Sequence, residues 1–278
     1  MLGRSQWLPG WAGPTAVLLV ALLPVVAQAF ASSWRLLDAA PSSPGVQQAA
    51  RAALHYFNYR AASPSTLQVL QQVNRASAWI NAEKGRRFDL VFTTASYRPE
   101  SKEKHSGICS ALVIFRNHQP KPTVNITCTR LLEDKEKEQE DYQLYKQMKE
   151  LKKPDEEVRI PDSLGHVEPS LQPLWNLAVI GSSYVMWEKT SQASYYYMTQ
   201  ISGVKQWVTR GDFISFNYTA LLHQFSTQDI IPCQIHLIWY PGKPLKVRYR
   251  CQDPETQPEG SGNDQGSAET PTEIPSNF

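Results

Sequence analysis

Hydrophobic and polar positions fall into the same order twice along this chain. From about Gly45 to Tyr59, Val46, Ala50, Ala53, Leu54 and Phe57 recur at helical spacing and predict a helix with one apolar stripe. Ser63-Pro64-Ser65 breaks it, and a mixed segment follows through Trp79-Ile80. From Arg87 to Thr94, Phe88, Leu90 and Phe92 alternate with Arg87, Asp89 and Thr93, the pattern of a half-buried strand. The second half repeats the order. A helix is predicted from about Ser170 to Lys189, with Leu171, Leu174, Trp175, Ala178, Val185 and Met186 on its apolar side. Tyr195-Tyr196-Tyr197 and Val204 to Val208 read as strand material, and Ile214, Phe216, Tyr218 and Ala220 then alternate against Ser215, Asn217 and Thr219.

Each half ends in a hairpin whose cysteines set its register. If Cys109 stands opposite Cys128, Ala111 faces Ile126 and Val113 faces Val124, and all six fall on one apolar face. With Cys233 opposite Cys251, Ile235 meets Tyr249, Leu237 meets Val247 and Trp239 meets Leu245 around the turn Pro241-Gly242-Lys243-Pro244. A slip of one residue would put the apolar side chains on the wrong face. The pairings Cys109–Cys128 and Cys233–Cys251 predict two disulfides in an oxidising compartment.

Between the halves, Glu133 to Val158 is dense in Lys and Glu. Leu144, Met148 and Leu151 lie on one helical stripe there, and Pro154 ends it. The fold class expected is α+β: two tandem units, each one long helix packed on a roughly four-stranded antiparallel sheet. The predicted division is 1–29 targeting segment, 30–43 linker, 44–132 first domain, 133–159 charged helical connector, 160–252 second domain and 253–278 acidic tail.

Charge changes this picture at the ends. The formal net charge is +2, too small to point to nucleic acid. The tail carries six acidic residues and no Lys or Arg, so the remainder of the chain stands at +8. A tail rich in Pro, Glu, Gly and Ser has too little apolar surface to fold by itself. At the other end, Arg4 precedes an apolar run from Ala16 to Ala27, and Ala27-Gln28-Ala29 is a small-x-small cleavage pattern. This predicts a secretory signal peptide cut after Ala29. The rival reading is a single-pass membrane anchor, for which Thr15 to Phe30, 16 residues containing Pro24 and Gln28, is short. The sequons Asn125-Ile-Thr127 and Asn217-Tyr-Thr219 fall on polar strand faces and predict glycosylation at Asn125 and Asn217.

Catalytic chemistry has no signature here. The sequence contains no H-E-x-x-H, G-x-S-x-G, P-loop, G-x-G-x-x-G or C-x-x-C, and the six histidines have no metal-ligand spacing. The reading is a binding protein that needs no cofactor and no metal. One polar segment, Leu221 to Asp229, connects two predicted strands and carries His223, Gln228 and Asp229. It reads as a recognition loop on a rigid scaffold, or as a plain solvated connector.

A duplicated helix-and-sheet unit with a hairpin disulfide is similar to the cystatin fold, and the duplicated form with a charged helical connector resembles the latexin family. The stretches that carry the resemblance are Asp141-Tyr142 through Lys149, Ile160-Pro161-Asp162, Gly181-Ser182-Ser183-Tyr184 with Trp187, and Tyr218 through Pro232. Plain latexin lacks the N-terminal apolar segment and the acidic tail. The resemblance implies inhibition of zinc metallocarboxypeptidases of the A/B type, or of a related tubulin-processing type, by occlusion of the active-site funnel. His223 and Gln228 match the family's contact loop, Gln228 pointing toward the enzyme's zinc region. The cysteine-protease signature Q-x-V-x-G occurs at no Gln, and the Pro-Gly-Lys-Pro tip has no Trp, so papain-type inhibition is not implied. The alternative is a secreted or membrane-associated signalling or adhesion scaffold that has kept the fold without the inhibitory surface.

Overall fold

In the computed structural model, which describes residues 33–97, 106–151, 157–207 and 212–252, the first long helix, α1, spans Pro44–Ala61. Proline in its first turn is pre-set for helical φ and has no N–H to leave unpaired. Ala62 closes the helix in the left-handed region, at φ 49°. The targeting segment with its cleavage site after Ala29, the Pro154 stop and the acidic tail all lie outside the described residues.

α1 crosses an antiparallel sheet of five strands in chain order: β1 (Arg35–Leu37), β2 (Gln68–Asn81), β3 (Gly85–Ser96), β4 (Ser106–Phe115) and β5 (Thr123–Cys128). The second half repeats this with β6 (Arg159–Ile160), helix α3 (Gln172–Lys189), β7 (Tyr196–Trp207), β8 (Ile214–Gln224), β9 (Ile230–Trp239) and β10 (Lys246–Cys251). Both hairpins adopt the register the cysteines require. Cys109 pairs with Cys128 and Val113 with Val124, while Cys233 pairs with Cys251 and Leu237 with Val247. Both disulfides are formed and leave no free cysteine.

Each sheet has five strands where about four are expected. The additional ones are β1, which lies within the expected linker, and β6, of three and two residues. Strands this short show no alternation to read. The mixed segment before Ile80 is in fact the 14-residue strand β2, and Tyr196–Trp207 is one strand rather than two pieces. The reason is the same in both. β2 has register shifts at Leu70/Gln72 and Val73/Arg75, and β7 at Met198/Gln200 and Ser202/Val204. Each bulge moves the following side chains to the other face and erases the period-2 pattern. Matching bulges in matching strands also support the duplication.

The two helices pack against each other, giving four layers: sheet, α1, α3, sheet. This explains why α3 is apolar nearly all round. Leu174, Leu177, Ala178, Ile180 and Val185 are fully buried between its own sheet and α1. Gly181 marks the tightest approach, since a Cβ there would stand 2.5 Å from both Leu237 Cδ1 and the Tyr218 hydroxyl. The α1 alanines Ala49, Ala50, Ala52 and Ala53 are all buried in the core of the first half.

Contacts between the halves are aromatic and hydrogen-bonded. Tyr56 packs on Trp187 at 4.9 Å and Tyr59 on Tyr184 at 4.7 Å between ring centroids. The Trp239 indole donates to the Ala62 carbonyl (2.8 Å), and Trp187 donates to Pro122 (3.2 Å). The connector helix α2 (Asp134–Glu150) starts with a capping box between Glu133 and Glu136. It buries Met148, with Leu144 and Leu151 partly buried beside it. Its Asp141 accepts a hydrogen bond from the Ser65 N–H (3.1 Å), tying it to the loop after α1.

Candidate functional site

β8 runs through Gln224 before the chain turns. Leu221 to Gln224 are therefore strand, and the connecting loop shortens to residues 225–229. The structure puts Gln228 and Asp229 in this turn and His223 at the end of the strand leading into it. His223 thus belongs to the sheet rather than to a loop rim, because it stands in register between Ile230 and Tyr197 on the neighbouring strands.

The turn is closed by its own backbone. Gln224 N–H donates to the Asp229 carbonyl (2.9 Å), and Gln228 N–H donates to the Gln224 carbonyl (2.8 Å). Phe225 N–H donates to the Tyr195 carbonyl (3.1 Å), which fastens the turn to the start of β7. The Phe225 ring lies flat on Tyr195, with centroids 4.3 Å apart and an interplanar angle of 11°, and His223 packs on Phe225 at 4.9 Å. Under these constraints Gln228 holds φ +65°, a left-handed conformation that costs a non-glycine residue roughly 1 kcal/mol. Its side-chain amide donates to the Phe225 carbonyl (2.7 Å), leaving one N–H and the amide oxygen for an outside partner. All five loop residues are exposed.

Around the turn the sheet presents large side chains to solvent. Tyr197, His223 and Ile230 are register partners across three strands and so project from one side. Tyr197 is 59% and Ile230 51% exposed. Tyr196, one residue back, is buried at 8%, so the triple tyrosine splits as strand alternation demands. Tyr197 and Ile230 border the candidate site, and the sequence reading did not single them out. The signal was present in the alternation of β8, which puts His223 on the outer face with Asn217 and Thr219.

The two sequons differ in setting. Asn125 is exposed on the edge strand β5, whereas Asn217 is half-buried on the interior strand β8, with its Oδ1 buried and lacking a hydrogen-bond partner. His236, beside Asn217, shares a hydrogen bond with the Ser215 hydroxyl (3.0 Å). Burial and the Arg248 charge hold its imidazole below its ordinary pKa. Among the described residues, no group of three His, Cys, Asp or Glu side chains is arranged to hold a metal, and no helix is long and apolar enough to cross a membrane.

The family model for latexin matches residues 39–257, which covers both helix-and-sheet units apart from β1, with the connector and the turn. The chain belongs to the latexin family. Retinoic acid receptor responder protein 1 of Homo sapiens is 58% identical over 237 residues, covering 84% of this chain and 80% of that protein. Ovocalyxin-32 of Gallus gallus is 33% identical over 278 residues, 95% of this chain and 97% of the relative. Latexin of Mus musculus is 31% identical over 222 residues, 79% of this chain and 98% of latexin. As a latexin-family protein the chain is of a protease-inhibitor family and is not an enzyme. The resemblance read from Asp141 through Pro232 is therefore correct at the level of family.

Proposed function

We propose that this latexin-family chain inhibits zinc metallocarboxypeptidases of the A/B or related type by seating the turn at residues 225–229 in the mouth of the active-site funnel. The observation that carries the reading is the turn itself. Gln228 is exposed at a strained backbone position, braced by a stacked Phe225–Tyr195 pair and flanked by solvent-facing Tyr197 and Ile230. A neutral amide held at the tip presents both donor and acceptor to polar groups in a funnel without bringing a charge that must be desolvated. A specific complex buries about 800 Å² on each partner, more than five residues supply. Tyr197, His223 and Ile230 enlarge the contact with aromatic and aliphatic anchors on rigid strands. In this reading Asp229 closes the turn through its carbonyl.

Two disulfides and two sequons support delivery through the secretory pathway, where the pairs stay oxidised. The domain division follows the same reading, with the two units at 44–132 and 160–252 and the connector between them.

The test is a titration of the full chain against a panel of A/B-type carboxypeptidases. Inhibition of at least one member at micromolar concentration is expected. Gln228→Ala and Tyr197→Ala are each expected to weaken it about tenfold or more with an unchanged melting temperature. If no member of the panel slows, the reading is lost. If Gln228→Ala inhibits as well as the parent chain, the turn is not the contact.

A further inference from the structure

α1 has two sides with different tasks. Val46, Ala50 and Ala53 pack into the core of the first half, while Gln48, His55 and Tyr59 lie on the opposite side of the helix and face the second half. Gln48 is only 8% exposed. An amide taken this far out of water needs hydrogen-bond partners. Its Nε2 donates to the Ser191 carbonyl and to the Ser194 carbonyl (3.2 Å). Both carbonyls belong to residues 190–195, the loop that joins α3 to β7. Gln192 of the same loop reaches the other way. Its amide donates to the Phe115 carbonyl (3.3 Å) and to Asn117 Oδ1 (3.2 Å), at the end of β4 in the first half. Asn117 is itself held in place by donating to the Ala82 and Glu83 carbonyls. Just beyond the loop, the His55 ring is hydrogen-bonded to the Tyr196 backbone.

The same loop is the floor on which the turn at residues 225–229 rests. Phe225 donates its N–H to the Tyr195 carbonyl (3.1 Å) and stacks its ring on Tyr195, and the Ser226 hydroxyl donates to Ser194 Oγ (3.2 Å). The Gln228 amide is bonded in turn to the Phe225 carbonyl. Ser194 therefore takes Gln48 on its carbonyl and Ser226 on its hydroxyl, so one residue links the first half to the turn. We propose that the first half positions the turn through residues 190–195, with Gln48 and Gln192 as the positioning residues. An inhibitory contact built wholly from the second half then depends on both halves of the chain. This rests on the turn being the inhibitory contact. The physical argument is preorganisation. The left-handed backbone of Gln228 is unfavourable by itself and persists only where the surroundings over-determine it. A turn already held in its bound shape also loses less entropy when it binds. The bonds that supply this restraint run from the turn to Ser194 and Tyr195, and from their loop to Gln48, Phe115 and Asn117.

Gln48→Met and Gln192→Met test it in the full chain, because methionine keeps the length of the side chain and removes its donors. A role in packing alone would leave both variants silent at the turn. Amide hydrogen exchange, followed by NMR, is expected to quicken about fivefold at Phe225 and Gln228 in each variant, and further in the double variant. The amides of Tyr218 and Leu237, inside β8 and β9 of the same sheet, are expected to exchange as in the parent chain. Against any carboxypeptidase that the parent chain inhibits, the double variant is expected to be about tenfold weaker, through faster dissociation. Unchanged exchange at Phe225 in both variants overturns the positioning, whether or not a peptidase is inhibited. A loosened turn with undiminished inhibition overturns the claim that the contact depends on the first half. If the parent chain slows no peptidase, the inhibitor reading fails, and the exchange rates alone decide whether the first half holds the turn.

Discussion

His55 lies half-buried on α1, facing the second half, with its ring hydrogen-bonded to the Tyr196 backbone. Burial, aided by the Arg51 charge, pushes its pKa down to about 4, while in the unfolded chain it titrates near 6.5. The unfolded state therefore takes up the proton first as pH falls. Stability from this residue is complete above about 6.5 and is lost on descending toward 4, by about 2 kcal/mol after allowing for partial exposure. His236 shifts the same way, and Asp141, whose carboxyl is raised by burial, acts in the opposite sense. Melting temperature is expected to drop between pH 7.5 and 5, and His55→Gln is expected to flatten much of that drop. An equal drop in the variant would show that other groups carry it. The sequons also separate at this scale. Expressed through the secretory pathway, the chain is expected to carry its glycan mainly at exposed Asn125, with half-buried Asn217 modified less. Glycosidase treatment with peptide mapping checks the site ratio, and equal occupancy would refute it. His223, Gln228 and Asp229 were legible in the sequence because a polar run between two alternating strands is conspicuous. Tyr197 and Ile230 were not, because each belongs to a strand and its exposure depends on register.

Hairpins were the most legible elements, since one disulfide register puts Cys109, Ala111, Val113 and Phe115 of β4, and Cys233, Ile235, Leu237 and Trp239 of β9, on the inner face. The bulged strands β2 and β7 were the least legible, because each bulge inverts the in-out alternation that reveals a strand. At this scale the disulfides give a quantitative expectation. They close loops of 19 and 18 residues, for which the chain-entropy model gives about 3 kcal/mol each. Replacing Cys233 and Cys251 together by Ser is expected to lower unfolding free energy by about that amount, and the pair Cys109 and Cys128 by nearly the same. Urea denaturation under oxidising conditions measures both. Losses well under 1 kcal/mol would mean that the sheet ladder already restrains the hairpins and the bridges add little.

For the whole molecule, the duplication was readable from sequence but the way the halves meet was not. Periodicity reports that a helix has an apolar side, and α3 has buried residues on nearly all sides, so a stripe analysis leaves half its surface unassigned. The structure assigns it to α1 and to the aromatic group of Tyr56, Tyr59, Tyr184 and Trp187. Trp187 is central to this group. It stacks against residues of both halves, donates its indole N–H to Pro122, and has the Lys121 ammonium 5.1 Å from its ring. Trp239 and Asp141 add hydrogen bonds between the second sheet, the connector and the loop after α1. Domains joined by a small polar interface unfold separately, whereas halves that share a packed core unfold together. Here the core of the second half includes Ala62 and Leu67 from the end of the first helix and its loop. Calorimetry is therefore expected to show one transition for both halves, with calorimetric and van't Hoff enthalpies agreeing. Trp187→Ala removes the shared ring and is expected to cost about 3 kcal/mol, moving that single transition down without splitting it. Two separate peaks in the parent chain would refute a common core. Two peaks in the variant alone would show that Trp187 is what couples the halves, and that the remaining contacts between α1 and α3 do not suffice.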